Sequence, residues 1–271
     1  MAATPHLQTN PGYAPGFVAA VLDDAVAHDC RVFGIAGLQG TGKSTLSAQI
    51  AALALTRGLR VAVLSIDDVY LDRPERLRLG RDVHPLLATR GPPGTHEVAL
   101  ACDVLDALRE HRTTRLPCFD KIADCRLPPS RWPAVHGTDL AIFEGWFLKV
   151  PAQQQPELAA PLNALERNED ADGTWRRYCN AALGRDYPRL WQRLDRVLFL
   201  QGPGFETVPA WRWQQEQALQ AANPDRAAMT QPQVERFVQC FERVSRQALR
   251  TLPVIADRTI RLDADRVPID R

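Results

Sequence analysis

Lysine is almost missing from this sequence. Of 33 basic residues only three are lysines, Lys43, Lys121 and Lys149, and arginine carries the rest. Arginine serves wherever a surface charge is wanted, but a planar guanidinium does not replace the compact point charge of lysine. The three that remain are therefore candidates for chemical need. Other absences narrow the class. No apolar run approaches the ~20 residues of a membrane-spanning helix, and the first residues, MAATPHLQTNPGYAPGF, lack the basic start and apolar core of a secretory signal. No two cysteines stand in CxxC spacing. The six are scattered at 30, 102, 118, 125, 179 and 240, as expected of reduced thiols in a cytoplasm and not of a disulfide or zinc framework. With 33 basic against 32 acidic residues the formal charge is +1, so neither nucleic acid nor a membrane surface is an expected partner.

What is present is an alternation of short apolar runs with amphipathic ones. CRVFGIAG (Cys30 to Gly37), the run from Leu59 to Ile66, part of TDLAIFEGWFL (Thr138 to Leu148), DRVLFLQ (Asp195 to Gln201) and RTIRLD (Arg258 to Asp263) read as buried strands. Helices are expected over Gly42 to Gly58, Glu97 to His111, Phe205 to Ala222 and Gln231 to Arg250. Strands alternating with helices indicate an α/β fold, a mostly parallel sheet of about five strands covered on both faces. No repeat is evident, and residues 1–271 read as one domain with insertions because the last two strands lie far from the first three. Weakly patterned stretches run over the first dozen residues, Arg73 to Gly94, Pro128 to His136 and Pro151 to Gly173.

GLQGTGKS (Gly37, Leu38, Gln39, Gly40, Thr41, Gly42, Lys43, Ser44) matches G-x-x-x-x-G-K-[ST] between a strand and a helix, with Thr45 next. The chemistry demands this pattern. Glycines let backbone N–H groups curl around phosphate oxygens, the helix N-terminus adds its positive end, Lys43 reaches the β/γ-phosphates and the Ser44 hydroxyl holds Mg²⁺. A guanine-reading Asn-Lys-x-Asp is absent, since none of the three lysines follows an asparagine, and the single DxxG (Asp170 to Gly173) lies in a polar loop. ATP is thus the expected nucleotide, though no adenine-binding signature stands out.

The strand after that helix ends in two acids, Asp67 and Asp68. Ligands of open α/β sheets bind at the carboxyl ends of strands, so these acids can stand beside the γ-phosphate. Successive side chains of an extended segment point opposite ways, so only one of them is expected to face it. There a carboxylate takes a proton from an acceptor hydroxyl or holds Mg²⁺ through water; the competing reading is a turn cap. Glu144, ending the LAIFEG strand, is a second carboxylate in position for the metal. Trp146 and Phe147 beyond it read as packing.

The segments GLQGTGKST, SIDDVYL, RGPPGTHEV, PCFDKIAD and FEGWFL, in that order, resemble the P-loop small-molecule kinases grouped with phosphoribulokinase, uridine kinase and bacterial pantothenate kinase, and among them plant-type D-glycerate 3-kinases. The resemblance spans Val32 to Arg250. It implies a three-layer P-loop fold with a helical lid, an N-terminal extension and helix over 1–30, an acceptor-binding insertion over 73–136 and a lid over 203–228. It implies Asp67 as the base, also near the metal with Ser44 and Glu144. Arg212 in AWRWQQE is the lid arginine that closes on the phosphates beside Lys43, with Arg226 a weaker candidate. Tyr70, Arg90, His96, Asp120, Lys121 and Arg126 are expected around the acceptor. Glu97 stands where the family usually has Asp, which puts a direct role of that acid in doubt. Asn163, Glu166 and Trp175 are expected near the pocket's border, and Lys149 has no mechanism. The implied activity is ATP- and Mg²⁺-dependent phosphorylation of a small hydroxyl acceptor, D-glycerate to 3-phosphoglycerate. Another acceptor (a nucleoside, pantothenate or a sugar acid), or a non-catalytic ATP-binding module, are the alternatives. Oligomeric state is not legible.

Overall fold

The computed structural model describes residues 12–222, 224 and 228–269, so Arg226 lies outside the described residues. In chain order the strands are β1 (Val32–Gly37), β2 (Val61–Ser65), the two-residue strands β3 (Thr114–Arg115), β4 (Phe119–Asp120), β5 (Cys125–Arg126) and β6 (Ala134–Val135), then β7 (Leu140–Gly145), β8 (Arg196–Gln201) and β9 (Arg258–Arg261). The five longer ones form one sheet in the order β2-β7-β1-β8-β9, every neighbouring pair parallel. The short ones make two antiparallel ribbons apart from it, β3 with β6 and β4 with β5.

Helices cover both faces. They are α1 (Pro15–Ala27), α2 (Lys43–Thr56), α3 (Arg73–Asp82), α4 (Val98–Arg109), α5 (Ala164–Glu169), α6 (Thr174–Arg185), α7 (Pro188–Trp191), α8 (Val208–Ala222) and α9 (Gln231–Ile255). Alternation along each strand divides the core in two. Phe33 and Ile35 of β1, Leu140 and Ile142 of β7, and Leu198 and Leu200 of β8 pack with Leu22 of α1 and Leu46 and Ile50 of α2. Val32, Ala36, Ala141, Phe143, Val197 and Phe199 face the other way, toward Leu105 of α4, Leu183 of α6 and Ala248 of α9. β1 and β7 are buried at every position, which is why they read as unbroken apolar runs. No helix among the described residues is long and apolar enough to cross a membrane, and the six cysteines are free.

Three boundaries differ from expectation. The strand expected to reach Ile66 stops at Ser65, and Ile66–Val69 form a 3₁₀ turn. Ser65 and Asp68 close that turn as a capping box, the Ser65 Oγ accepting from Asp67 N–H and the Asp68 carboxylate accepting from Ser65 N–H. Strand alternation therefore does not separate the two acids; the turn does. α9 runs on to Ile255 with Pro253 in its last turn. And α3 occupies a stretch with weak apolar patterning, although Asp72, Pro74 and Glu75 supply a capping box and a proline in the first turn.

Candidate active site

The turn between β1 and α2 is shaped by its glycines. Gly40 and Gly42 have φ of +86° and +85°, in the left-handed region that other residues avoid. Gly42 sits at the N-cap of α2 with no side chain capping the helix, which leaves the first N–H groups turned to the loop. Lys43, buried, donates from Nζ to the Leu38 carbonyl at 3.1 Å. Its burial lowers the pKa, opposed by Glu144 and Asp67. Ser44 Oγ donates to Glu144 Oε1 at 2.8 Å, joining the loop to the end of β7.

The far side of the loop is fastened by distant residues. The Tyr13 hydroxyl donates to the Thr41 carbonyl. Arg266 donates from Nε to the Gly40 carbonyl at 2.6 Å and from Nη2 to Gln214 of α8 at 2.8 Å, and stacks over the Trp211 ring at 4.9 Å. A Cβ at Gly40 would come within 2.5 Å of Trp211 Cβ, so α8 rests on the loop backbone itself.

Next to the loop lies a cavity of about 340 Å³, within the range of small-molecule sites. Gln39 of the loop, Asp67, Tyr70, Arg90, Lys121, Trp146, Arg212 and Phe241 are in its wall. Asp67 thus shares a cavity with the phosphate loop. Its Oδ1 accepts from the Tyr70 hydroxyl at 2.5 Å and its Oδ2 from Lys121 Nζ at 2.6 Å. Burial pushes the Asp67 carboxyl up, but the Lys121 ammonium and these two hydrogen bonds outweigh it and hold the pKa at about 2. Asp68, tied up in the turn, is pushed by burial to about 6.

The other expected residues separate into those in the wall and those behind it. Arg90 holds Asp124 and donates to the Lys121 carbonyl, bracing the turn that presents Lys121. Arg212 reaches Glu216 at 3.4 Å and lies over the Phe237 ring. His96 is buried behind Tyr70, ring centroids 4.8 Å apart. The Tyr187 oxygen accepts from Gly94 N–H and is 2.7 Å from His96 Nδ1. Burial lowers the His96 pKa to about 3, so the ring is neutral. Asp120 accepts from Ile122 and Ala123 N–H, shaping the turn, and Arg126 pairs with Glu97; neither is in the cavity wall. Asn163 caps α5, and Glu166 is buried against Arg243 at 2.6 Å. Trp175 borders a separate cavity of about 20 Å³, room for one water.

Residues without a sequence signal complete the site. Arg76, 1 % exposed, donates to the carbonyls of Leu71, Ala88 and Asp124 and pairs with the Asp124 carboxylate at 2.9 Å. It ties together three stretches of chain, at Leu71, Ala88 and Asp124, beside the cavity. The rings of Trp146, Phe237 and Phe241 complete the wall, of which Trp146 reads in the sequence as packing.

The chain is similar to several known proteins. Residues 17–70, the phosphate-loop part, match the family model described as methylmalonyl Co-A mutase-associated GTPase MeaB. The uncharacterized kinase mug58 of Schizosaccharomyces pombe is 30% identical over 201 residues, 70% of this chain and 71% of that one. The chloroplastic D-glycerate 3-kinase of Arabidopsis thaliana is 30% identical over 251 residues, 87% of this chain but only 51% of the plant protein. The chain thus spans about half the plant enzyme's length. The structure of D-glycerate 3-kinase from Cryptococcus neoformans superposes with a TM-score of 0.75 at 24% identity, covering 99% of both chains, a shared fold. With its phosphate loop, its parallel sheet and this degree of identity to a kinase over most of both lengths, the chain belongs to the P-loop small-molecule kinase family that holds these relatives.

Proposed function

We propose that this kinase transfers the γ-phosphoryl group of ATP to a hydroxyl of a small carboxylic acid, D-glycerate, giving 3-phosphoglycerate and ADP. The observation that carries the reading is that Asp67, Lys121 and Arg90 stand with Gln39 of the phosphate loop in the wall of one cavity. A hydroxy acid needs there one carboxylate to receive its hydroxyl proton and a cation to pair with its own carboxylate. The name of the plant relative supports the same acceptor.

In this scheme the backbone of Gly37–Thr45 cradles the phosphates, and Lys43 and Arg212 neutralise their charge. The acceptor oxygen forms a bond to the γ-phosphorus, its proton passes to Asp67, and the bond from that phosphorus to the bridging oxygen breaks as ADP leaves. Lys121 and Arg90 pair with the acceptor carboxylate, which draws Lys121 off Asp67, while Tyr70 and the neutral His96 hold the base in place. Asp120 and Arg126 act from behind by shaping the turn. Ser44, Glu144 and, through water, Asp67 would hold Mg²⁺, an all-oxygen set that suits this hard ion; the ion supplies further neutralisation of phosphate charge. Residues 73–136 serve as the acceptor-binding insertion of a single domain and 203–228 as the lid, in a cytoplasmic enzyme. A coupled ADP-release assay over hydroxy acids, nucleosides and pantothenate tests the reading, with 2- and 3-phosphoglycerate told apart in the product. Release with D-glycerate and the 3-isomer is expected. Release only with a nucleoside or pantothenate would overturn it.

A further inference from the structure

Two residues of the cavity wall carry polar groups that have no task in this scheme. The Trp146 indole Nε1 and the Gln39 amide, both Nε2 and Oε1, are shielded from water and have no hydrogen-bond partner among the described residues. Native proteins rarely leave buried polar atoms unpaired. Other unpartnered polar atoms exist, such as the Trp191 Nε1 and Ser245 Oγ, but they are not in the wall of this cavity.

Both residues spring from stiff supports. Gln39 follows β1 and Trp146 follows β7, and the two strand ends are paired, Ala36 opposite Gly145. The indole is held by Phe147, ring centroids 4.6 Å apart, and edge-on by Phe241 at 5.2 Å. Neither polar group carries charge. The indole offers a donor only, the amide a donor and an acceptor. The acceptor's carboxylate has the cations Lys121 and Arg90 in the same wall, which leaves this uncharged set for a neutral group. A hydroxyl fits well: its oxygen accepts from the indole and its hydrogen goes to the amide oxygen.

We propose that Gln39 and Trp146 bind a second, non-reacting hydroxyl of the acceptor and so select a dihydroxy acid over a monohydroxy one. The inference rests on the acceptor reading above and assigns specificity within it. Asp67 takes the reacting hydroxyl, Lys121 and Arg90 the carboxylate, and this neutral pair the remaining hydroxyl. The backbone of Gln39 stays with the nucleotide while its side chain serves the acceptor. A site built to hydrogen-bond a hydroxyl discriminates strongly against an analogue lacking it.

The test compares D-glycerate with 3-hydroxypropanoate, which keeps the carboxylate and the terminal hydroxyl and lacks the one between. The readout is the ratio of kcat/KM for the two acids in wild type, Trp146→Phe, which keeps the ring packing, and Gln39→Leu. Wild type is expected to favour D-glycerate at least a hundredfold. Each variant should lower that ratio about tenfold, the equivalent of ~1.4 kcal/mol, whatever happens to the absolute rate. If both acids decline together in both variants, or the ratio stays put, the two residues are structural and the inference falls while the proposed function stands. If Trp146→Phe does not fold, Gln39→Leu decides alone. If another acceptor proves to be the substrate, the glycerate assignment falls. The ratio is then taken between that acceptor and its analogue without the non-reacting hydroxyl, and an acceptor with a single hydroxyl overturns the inference. Absence of any acceptor-dependent turnover overturns both.

Discussion

The phosphate end of the cavity is one unbroken run, Gly37–Thr45, shaped by backbone angles at Gly40 and Gly42, whereas the acceptor end is assembled from side chains of separate stretches that hold one another by ion pairs. At the first end the sheet and the helix N-terminus set the shape, and Lys43 and Ser44 add their side chains to a path the backbone already fixes. At the second, Asp67 depends on Lys121, Lys121 on the turn braced by Arg90, and Arg90 and Arg76 share Asp124. One region is fixed by local chain geometry, the other by a chain of mutual dependence. Substitutions should tell them apart by which substrate's kinetics they disturb.

The largest effect is expected from Asp67→Asn. Removing the base should lower acceptor-dependent turnover by about 10³-fold, with ATP still protecting the protein in a thermal-shift assay. A loss of less than tenfold would remove the assignment. Arg76→Met should come next. It leaves three carbonyls without their shared donor and Asp124 with Arg90 alone, and each buried carbonyl left unpaired costs about 1–3 kcal/mol. A Tm lower by roughly 10 °C is expected, with the acceptor KM rising more than the ATP KM. An unchanged Tm would mean that the acceptor end is not held in the way described.

Lys121→Met sharpens the comparison through pH. It should lower kcat/KM for carboxylate acceptors by about 10- to 100-fold, as for loss of a charge-assisted hydrogen bond, with little change in the ATP KM. In the intact protein Asp67 sits near 2, below its usual 3.8, so the carboxylate stays ionised and the acceptor kcat/KM should show no acid limb from it above pH ~4. The same depression contributes stability that is fully present above 3.8 and lost as pH falls through about 2. Without Lys121, burial remains to raise the carboxyl, and an acid limb should move up by roughly two units. A profile that does not move would break the link between the two residues. The smallest effect is expected from Lys149→Met. Lys149 is half-buried with φ +58° outside both ends of the cavity, and turnover should stay the same, with stability within about 0.5 kcal/mol.

The same contrast decides how much was legible beforehand. The phosphate loop, the strand ends at Ser65 and Glu144 and the order of the elements follow from contiguous patterns, and the structure has them within a few residues. The strand end marks Asp67 and Asp68 together and the family resemblance prefers Asp67, but what separates the two is a 3₁₀ turn and not strand alternation. Arg76 escaped notice because nothing in a run of arginines tells a buried one from a solvated one; only the neighbours Leu71, Ala88 and Asp124 do so. Trp146 reads as packing since an aromatic residue beside a cavity has the same local pattern as one inside a core. The Asp72–Pro74–Glu75 start of α3 was a usable signal, hidden by the weak apolar patterning after it.

Arg266 gives the phosphate loop a second fastening, reached from the other end of the chain. Because one guanidinium grips Gly40, Gln214 and the face of Trp211 together, it works as a latch between loop and α8. Cutting Arg266 back to alanine would slacken that latch while sparing the sheet, so the change would surface in the handling of ATP before any sign of unfolding.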